Sequence, residues 1–307
     1  ADLPEQLSKV NSSDEHDKIA NDLIASENGV IVLGEHLKSN PSNSVIISTV
    51  SQIAQISNSK IANLTLSGNA HSAEKVGFIP TNQGMNASSM LTESCKAFLL
   101  MDVDSQYDFF NPKLAMDLFN KDDVFVVSLT SFEDQSTLLS ADVILPMASF
   151  YETSGTHINF DGIAQSFSAS VKSPGDSKPG WKIIKVMADL LELEGFSFVD
   201  SSQVAEEALL SSKVQTQING SIAESFEDSD ITTLWQYAPY AIDNVTRRAK
   251  ALQESNIGKI NSAYIAKSTA KKLSLSQDDL YLGVPVSISD DVAEDCVFVH
   301  TSQARRV

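Results

Sequence analysis

The chain has 307 residues, 42% apolar and 7% aromatic, which is enough for a full core and about two domains, so disorder is not its default state. Its 22 Lys and Arg stand against 40 Asp and Glu, and the formal charge of -18 opposes binding to nucleic acid or to an anionic lipid surface. No apolar run approaches the roughly 20 residues that span a bilayer, so direct membrane insertion is not expected.

The chain opens at Ala1 in a polar lead rich in Ser, Asn and Asp, with no charged segment followed by an apolar one. It reads as a piece of a longer protein without a secretory signal. Residues 14 to 27 set Ile19, Leu23 and Ile24 at helical spacing, and Gly29 supplies a stop. Val30 to Leu33 reads as a strand, Val45 to Ile56 as a helix, and Ile61 to Leu66 as a second strand. Lys96 to Met101 is strand-like, Leu114 to Phe119 helical, and Val124 to Leu129 and Val143 to Leu145 strand-like again. Such alternation, with continuous apolar runs, predicts a mostly parallel sheet flanked by helices.

Ala141 to Pro146 is a buried strand that stops at proline, which has no N–H to donate, and opens into a long polar loop. Gly155 and Gly162 within it permit positive φ or close backbone approach. From Trp181 the apolar period is 3.6, through Ile183, Ile184, Met187, Leu190 and Leu191, with Gly195 ending the helix. Residues 202 to 254 read as helical, broken by polar turns and Pro239. At the C-terminal end Val284, Val286 and Ile288, then Val297 and Val299, alternate on either side of an acidic turn, the pattern of a β-hairpin with a wide loop. The domain reading is an α/β domain over 1–175, a helical continuation over 176–256 and a small β-rich cap over 257–307.

Three ordered runs carry a resemblance. Ala141-Asp142-Val143-Ile144-Leu145-Pro146 is followed by Glu152, Gly155-Thr156, Asn159 and Asp161-Gly162-Ile163-Ala164-Gln165, and then by Pro174-Gly175 and Pro179-Gly180-Trp181-Lys182-Ile183. Over roughly residues 60 to 190 the chain resembles the molybdopterin oxidoreductases. Residues 241 to 253, Ala241-Ile242-Asp243-Asn244-Val245-Thr246-Arg247-Arg248 and onward, are similar to the C-terminal part of the large iron-sulfur subunit of bacterial NADH:quinone oxidoreductase, respiratory complex I.

The chain departs from the family's cofactor-binding pattern at several strand ends. Where that resemblance implies a Gly-x-Asn-Pro loop, the chain has Met101-Asp102-Val103-Asp104, and two carboxylates there would repel a pyrophosphate. The implied Thr-Glu-Thr stands as Gln135-Ser136-Thr137, and the Arg of Glu-Gly-Arg as Ile163. Gly68 to Gly77 resembles the family's phosphate-side loop with Ser72 in place of its middle glycine, and reads as a plain turn. No G-x-G-x-x-G fingerprint is present, so NADH is not expected to bind here.

Other constellations are weak. His16, His36, His71, His157 and His300 are scattered without metal-ligand spacing, and Ser154 is not in a nucleophile elbow. Cys95 and Cys296 are too few for an iron-sulfur cluster, which takes about four cysteines, and suit a reducing compartment. Asp102 and Asp104 read as solvated loop carboxylates rather than as a metal or acid–base pair. Arg247-Arg248 reads either as docking forks for carboxylates across an interface or as ordinary helix-surface charge. No catalytic, cofactor-binding or metal-ligating residue is therefore assigned.

The resemblance implies a structural, redox-inactive part of the large iron-sulfur subunit of complex I. It would have no cofactor of its own, and the iron-sulfur clusters would lie in the missing N-terminal part. Its partners would be other peripheral-arm subunits, and its place the cytoplasmic face of the bacterial inner membrane. The alternatives are a piece of a true molybdopterin-dependent oxidoreductase that keeps part of the cofactor groove, or an unrelated α/β module binding a small ligand near residues 147 to 165.

Overall fold

The computed structural model describes residues 11–34, 37, 40, 42–64, 68–78, 80, 84–93, 95–109, 111–210, 230–237 and 239–301. In chain order the first elements are α1 (Asp14–Ala25), β1 (Val30–Leu33), α2 (Asn43–Ser57), β2 (Lys60–Asn63), α3 (Ala70–Lys75) and α4 (Ala87–Thr92). Then come β3 (Ala97–Met101), α5 (Pro112–Phe119), β4 (Phe125–Thr130), α6 (Gln135–Ser140), β5 (Val143–Pro146), β6 (Gly155–Ile158) and β7 (Ala164–Phe167). The chain continues with α7 (Gly180–Leu190), α8 (Ser201–Leu210), β8 (Thr232–Tyr237), α9 (Asn244–Arg248) and α10 (Lys250–Gln253). It ends with β9 (Ser262–Ile265), α11 (Lys267–Lys272), β10 (Leu280–Tyr281), β11 (Val284–Ile288) and β12 (Cys296–Thr301). Two compact units interleave along this order: one draws on residues 1–67, 215–236 and 262–300, the other on 68–214, 237–261 and 301–307.

In the first unit β1 and β2 pair in parallel, Val30 opposite Lys60 and Leu33 opposite Asn63, which requires the crossover helix α2 between them. A five-stranded sheet has the order β10-β11-β9-β12-β8. Its core is small and aliphatic: Ala263 and Ile265 of β9, Val284 and Val286 of β11, and Val297 and Val299 of β12, closed by Ala270 of α11. Trp235, Leu273 and Tyr281 pack around it.

The second unit holds the three-stranded parallel sheet β3-β4-β5. Leu99 lies opposite Val127, and Val127 opposite Val143, so the three strands run in step and their carboxyl ends lie along one edge. Leu100, Ala115, Leu118, Phe119 and Val126 form its core, with Phe119 edge-on to Phe98 and Phe109 at ring separations of 5.1 and 5.6 Å. Asn111 starts α5 by accepting a hydrogen bond from the Leu114 N–H, and Pro112 at the first position fits because its missing N–H would have no partner there.

The mostly parallel sheet with flanking helices is as the sequence predicts, and so are the strands at Val30, Lys96, Val124 and Val143, although the last is half-exposed rather than buried. Four readings are corrected. The stretch 202–254, read as helical, contains β8, because Thr232, Thr233 and Trp235 are β-branched or aromatic and gain a ladder partner in β12. Its part over 211–229 lies outside the described residues, as do His36 and the end of the second predicted strand at Thr65 and Leu66. The expected β-hairpin is absent: β11 and β12 both pair with β9, Val286 in parallel and Val299 antiparallel to the same Ala263. Alternation identifies a strand but says nothing of its neighbour. The long loop after Pro146 carries the β6–β7 hairpin, whose turn closes with Asn159 N–H donating to the Ile163 carbonyl and Gly162 at φ 79°. The helix from Trp181 stops at Leu190, well before Gly195, where the Leu191 and Glu192 N–H groups turn back onto the last carbonyls.

Candidate functional site

In an open parallel sheet, the crevice beyond the carboxyl ends of the strands is where ligands are held. Three segments of the second unit meet there: residues 102–108 after β3, residues 131–134 after β4, and α9. Asp102 takes φ 54°, the left-handed conformation that a glycine would adopt more cheaply. Asn244 compensates by donating from its amide to both the Asp102 carboxylate and its carbonyl, at 3.0 and 3.2 Å. Asp243 starts α9 by accepting from the N–H groups of Val245 and Thr246, and this cap aims the next turn at the sheet edge.

Asp104 is 3% exposed, which corrects its reading as a solvated loop carboxylate. Burying it is feasible because its oxygens are used: the Gln106 N–H donates at 2.9 Å, the Ser136 hydroxyl at 3.0 Å and the Arg248 guanidinium at 3.3 Å. Arg248 also pairs with Asp134, donates to the Asn244 carbonyl at 2.9 Å, and lies 4.5 Å from the centre of the Phe132 ring. Arg247 pairs with Asp108, donates to the Ala241 carbonyl at 2.7 Å and lies 5.1 Å from the Tyr107 ring centre. The reading of Arg247-Arg248 as ordinary helix-surface charge is corrected, since Arg247 is 8% exposed and both forks have carboxylate partners. They are bound within the chain.

Asp134 caps α6, accepting from the Thr137 N–H at 3.1 Å and the Ser136 hydroxyl at 2.8 Å. Partial burial pushes its carboxyl upward, but the Ser136 hydroxyl, the Thr137 N–H and the Arg248 guanidinium together hold it below the usual carboxylate range. The single Ser136 hydroxyl proton is thus shared between two acidic groups, Asp104 at 3.0 Å and Asp134 at 2.8 Å, that arrive from different strand ends.

Four carboxylates, on Asp102, Asp104, Asp108 and Asp134, converge on this edge, and its two guanidiniums are already paired. Such a donor set does not fit a bound dinucleotide, whose diphosphate needs unspent N–H groups and cations. Among the described residues, no group of three or more His, Cys, Asp or Glu side chains is placed to hold a metal ion. Ser72, read as part of a turn, lies on the short helix α3, and its buried hydroxyl accepts the Ile158 N–H at 2.7 Å. It thereby ties α3 to the β6–β7 hairpin. A cavity of about 640 Å³ beside β3 reaches this segment at Val103 and Asp108, but the rest of its lining is mostly apolar, Met85, Met90, Leu91, Phe98, Leu100 and Leu114 among others, and unsuited to phosphates.

Residues 5–190, well over half of the chain, match the sequence profile of the molybdopterin oxidoreductases. The chain belongs to the molybdopterin oxidoreductase family. Within that family it is similar to the mitochondrial NADH-ubiquinone oxidoreductase 78 kDa subunit of Candida albicans, 38% identical over 80 residues, 25% of this chain and 11% of the relative. It is also similar to the NADH-ubiquinone oxidoreductase 75 kDa subunit of Reclinomonas americana, 23% identical over 170 residues, 55% of this chain and 24% of the relative. A third likeness is to the F420-dependent formate dehydrogenase 1 subunit alpha of Methanococcus maripaludis, 33% identical over 94 residues, 30% of this chain and 13% of the relative. The chain spans a quarter or less of the length of each of these relatives. Among solved structures, acetylene hydratase from Pelobacter acetylenicus aligns with 70% of this chain and 38% of its own, at 15% identity and a TM-score of 0.47.

Proposed function

We propose that this member of the molybdopterin oxidoreductase family is the structural, redox-inactive C-terminal portion of the large iron-sulfur subunit of a respiratory NADH:quinone oxidoreductase. The whole enzyme passes electrons from NADH to quinone. This portion would support the cluster-bearing part of its subunit and dock neighbouring peripheral-arm subunits at the cytoplasmic face of a bacterial inner membrane. The observation that carries the reading is the strand-end edge of β3 and β4, where paired carboxylates and guanidiniums stand in the position of a ligand crevice. The likeness to the 75 and 78 kDa subunits supports it. So does the exposed apolar side of α7, where Val186, Leu190 and Leu191 suit burial against another polypeptide.

The likeness to a formate dehydrogenase alpha subunit favours a second reading, a piece of a molybdopterin-dependent oxidoreductase. One experiment separates the two. The full-length parent protein is tagged and recovered from detergent-solubilised membranes, its partners are sequenced, and iron and molybdenum are measured. The proposal expects flavin- and cluster-bearing partners with iron and no molybdenum. Stoichiometric molybdenum with a guanine-dinucleotide cofactor and none of those partners would overturn it.

A further inference from the structure

We propose that Arg247 and Arg248 are a built-in occupant of the crevice at the carboxyl ends of β3 and β4, closing it to anionic ligands by spending their charge on Asp104, Asp108 and Asp134. The inference deepens the redox-inactive reading, on which it rests, by naming the residues that close the edge.

Four observations converge on it. First, the two arginines are consecutive on a five-residue helix and together span two strand-end segments: Arg247 pairs with Asp108 after β3, and Arg248 with Asp104 after β3 and Asp134 after β4. Two neighbouring cations thereby fasten one short helix to the loops following both β3 and β4. Second, two of the pairs have one well-buried member, Arg247 at 8% exposure against Asp108 at 26%, and Asp104 at 2% against Arg248 at 26%, so they are screened less than fully exposed surface pairs. Third, each guanidinium has an aromatic ring against it, Tyr107 for Arg247 and Phe132 for Arg248, and donates to a backbone carbonyl, Ala241 or Asn244. The planar fork is therefore held in place by its whole surroundings. Fourth, the acids come with their own donors, the Ser136 hydroxyl and the Gln106 and Thr137 N–H groups, so the carboxylates are fixed in place to receive the arginines.

Arginine pairs beside hydroxyls and free N–H groups are what a phosphate group would select. Here the protein's own carboxylates fill that role. Neutralising them should turn the same crevice into an anion site, while removing Arg248 should leave the buried Asp104 without a cationic partner.

Both consequences can be measured on the full chain, with inorganic pyrophosphate as the probe in calorimetric titrations and thermal unfolding as the readout of packing. The wild-type protein should show no saturable pyrophosphate binding. Asp104→Asn/Asp134→Asn, in which the carboxamide introduced at the start of α6 still serves as a helix cap, should gain saturable binding at about millimolar concentration. Arg248→Ala should lower the unfolding midpoint by on the order of 5 °C, and adding Asp104→Asn should restore part of that loss. Saturable binding by the wild type, no gain in the double variant, or strictly additive losses would each overturn the proposal. If the double variant does not fold, the Arg248→Ala and Asp104→Asn cycle decides alone. None of these results depends on which partners the parent protein recovers, so the two readings can fail separately.

Discussion

At the scale of single residues, Asp134 shows how local donors set chemistry. Its folded-state carboxyl is held below its unfolded range, so the stability it contributes is present above the unfolded value of about 3.9 and is lost as pH falls through the lower, folded one. Asp134→Asn keeps the helix cap and removes the charge. We expect the variant to show a flatter loss of denaturant midpoint than the parent between about pH 5 and pH 2, as followed by urea unfolding at a series of pH values. A parallel pair of curves would count against a carboxyl held low by Ser136, Thr137 and Arg248 together. Gly258 poses a steric question instead: a Cβ there would stand 2.2 Å from the Leu252 carbonyl oxygen and 2.8 Å from the Gln253 Cα, both backbone atoms that cannot step aside. Gly258→Ala should cost about 1–3 kcal/mol in urea unfolding. At Gly180, by contrast, the atoms met are the ends of Met101 and Met147, which can rearrange, so Gly180→Ala should cost less.

Residue-level function was the least legible part of the sequence. Asp104 reads as a loop carboxylate because the partner that makes its burial possible, Arg248, lies 144 residues away. Ser72 reads as a missing glycine, while its hydroxyl serves the Ile158 N–H 86 residues on. Local patterns carry no information about such distant pairs. A hint was present in the coincidence of an acidic strand end with a twin arginine on a late helix, two departures of opposite sign from what either segment needs alone.

At the scale of elements, the parallel framework was readable because β3, β4 and β5 are short apolar runs separated by helices, each obeying its own period. In the second sheet only β11 and β12 were readable, because the central strand β9 has just four residues, too few for the alternation of Ala263 and Ile265 to stand out. Yet β9 is where the packing of that unit concentrates: Ile265 is fully buried in one cluster with Val286 and Val297 of the flanking strands. Ile265→Ala should cost about 2–5 kcal/mol and raise amide exchange across β9, β11 and β12 together. Exchange that rose in β9 alone would contradict the central position of that strand.

At the scale of the whole molecule, the charge of -18 and the lack of any helix, among the described residues, long and apolar enough to cross a membrane bear on one outcome. Vesicles of anionic phospholipid at about 0.1 M salt should leave the protein behind on flotation, because like charges within a screening length of about 10 Å repel. Co-flotation would require an apolar contact strong enough to overcome that repulsion.

The interleaving of the two units carries a consequence in time. The three-stranded sheet and its arginine-bearing helix lie within residues 68–214 and 237–261, whereas β9 to β12 follow at residues 262–301. A ribosome adding about 5–20 residues per second finishes the first set several seconds before the second. β8 is made early and must wait beside an emerging chain for β12, the strand it pairs with. For those seconds the Thr- and aromatic-rich segment Thr232 to Tyr237 lacks the only strand it pairs with in that sheet, and its backbone N–H and C=O groups stay open to water or to another chain.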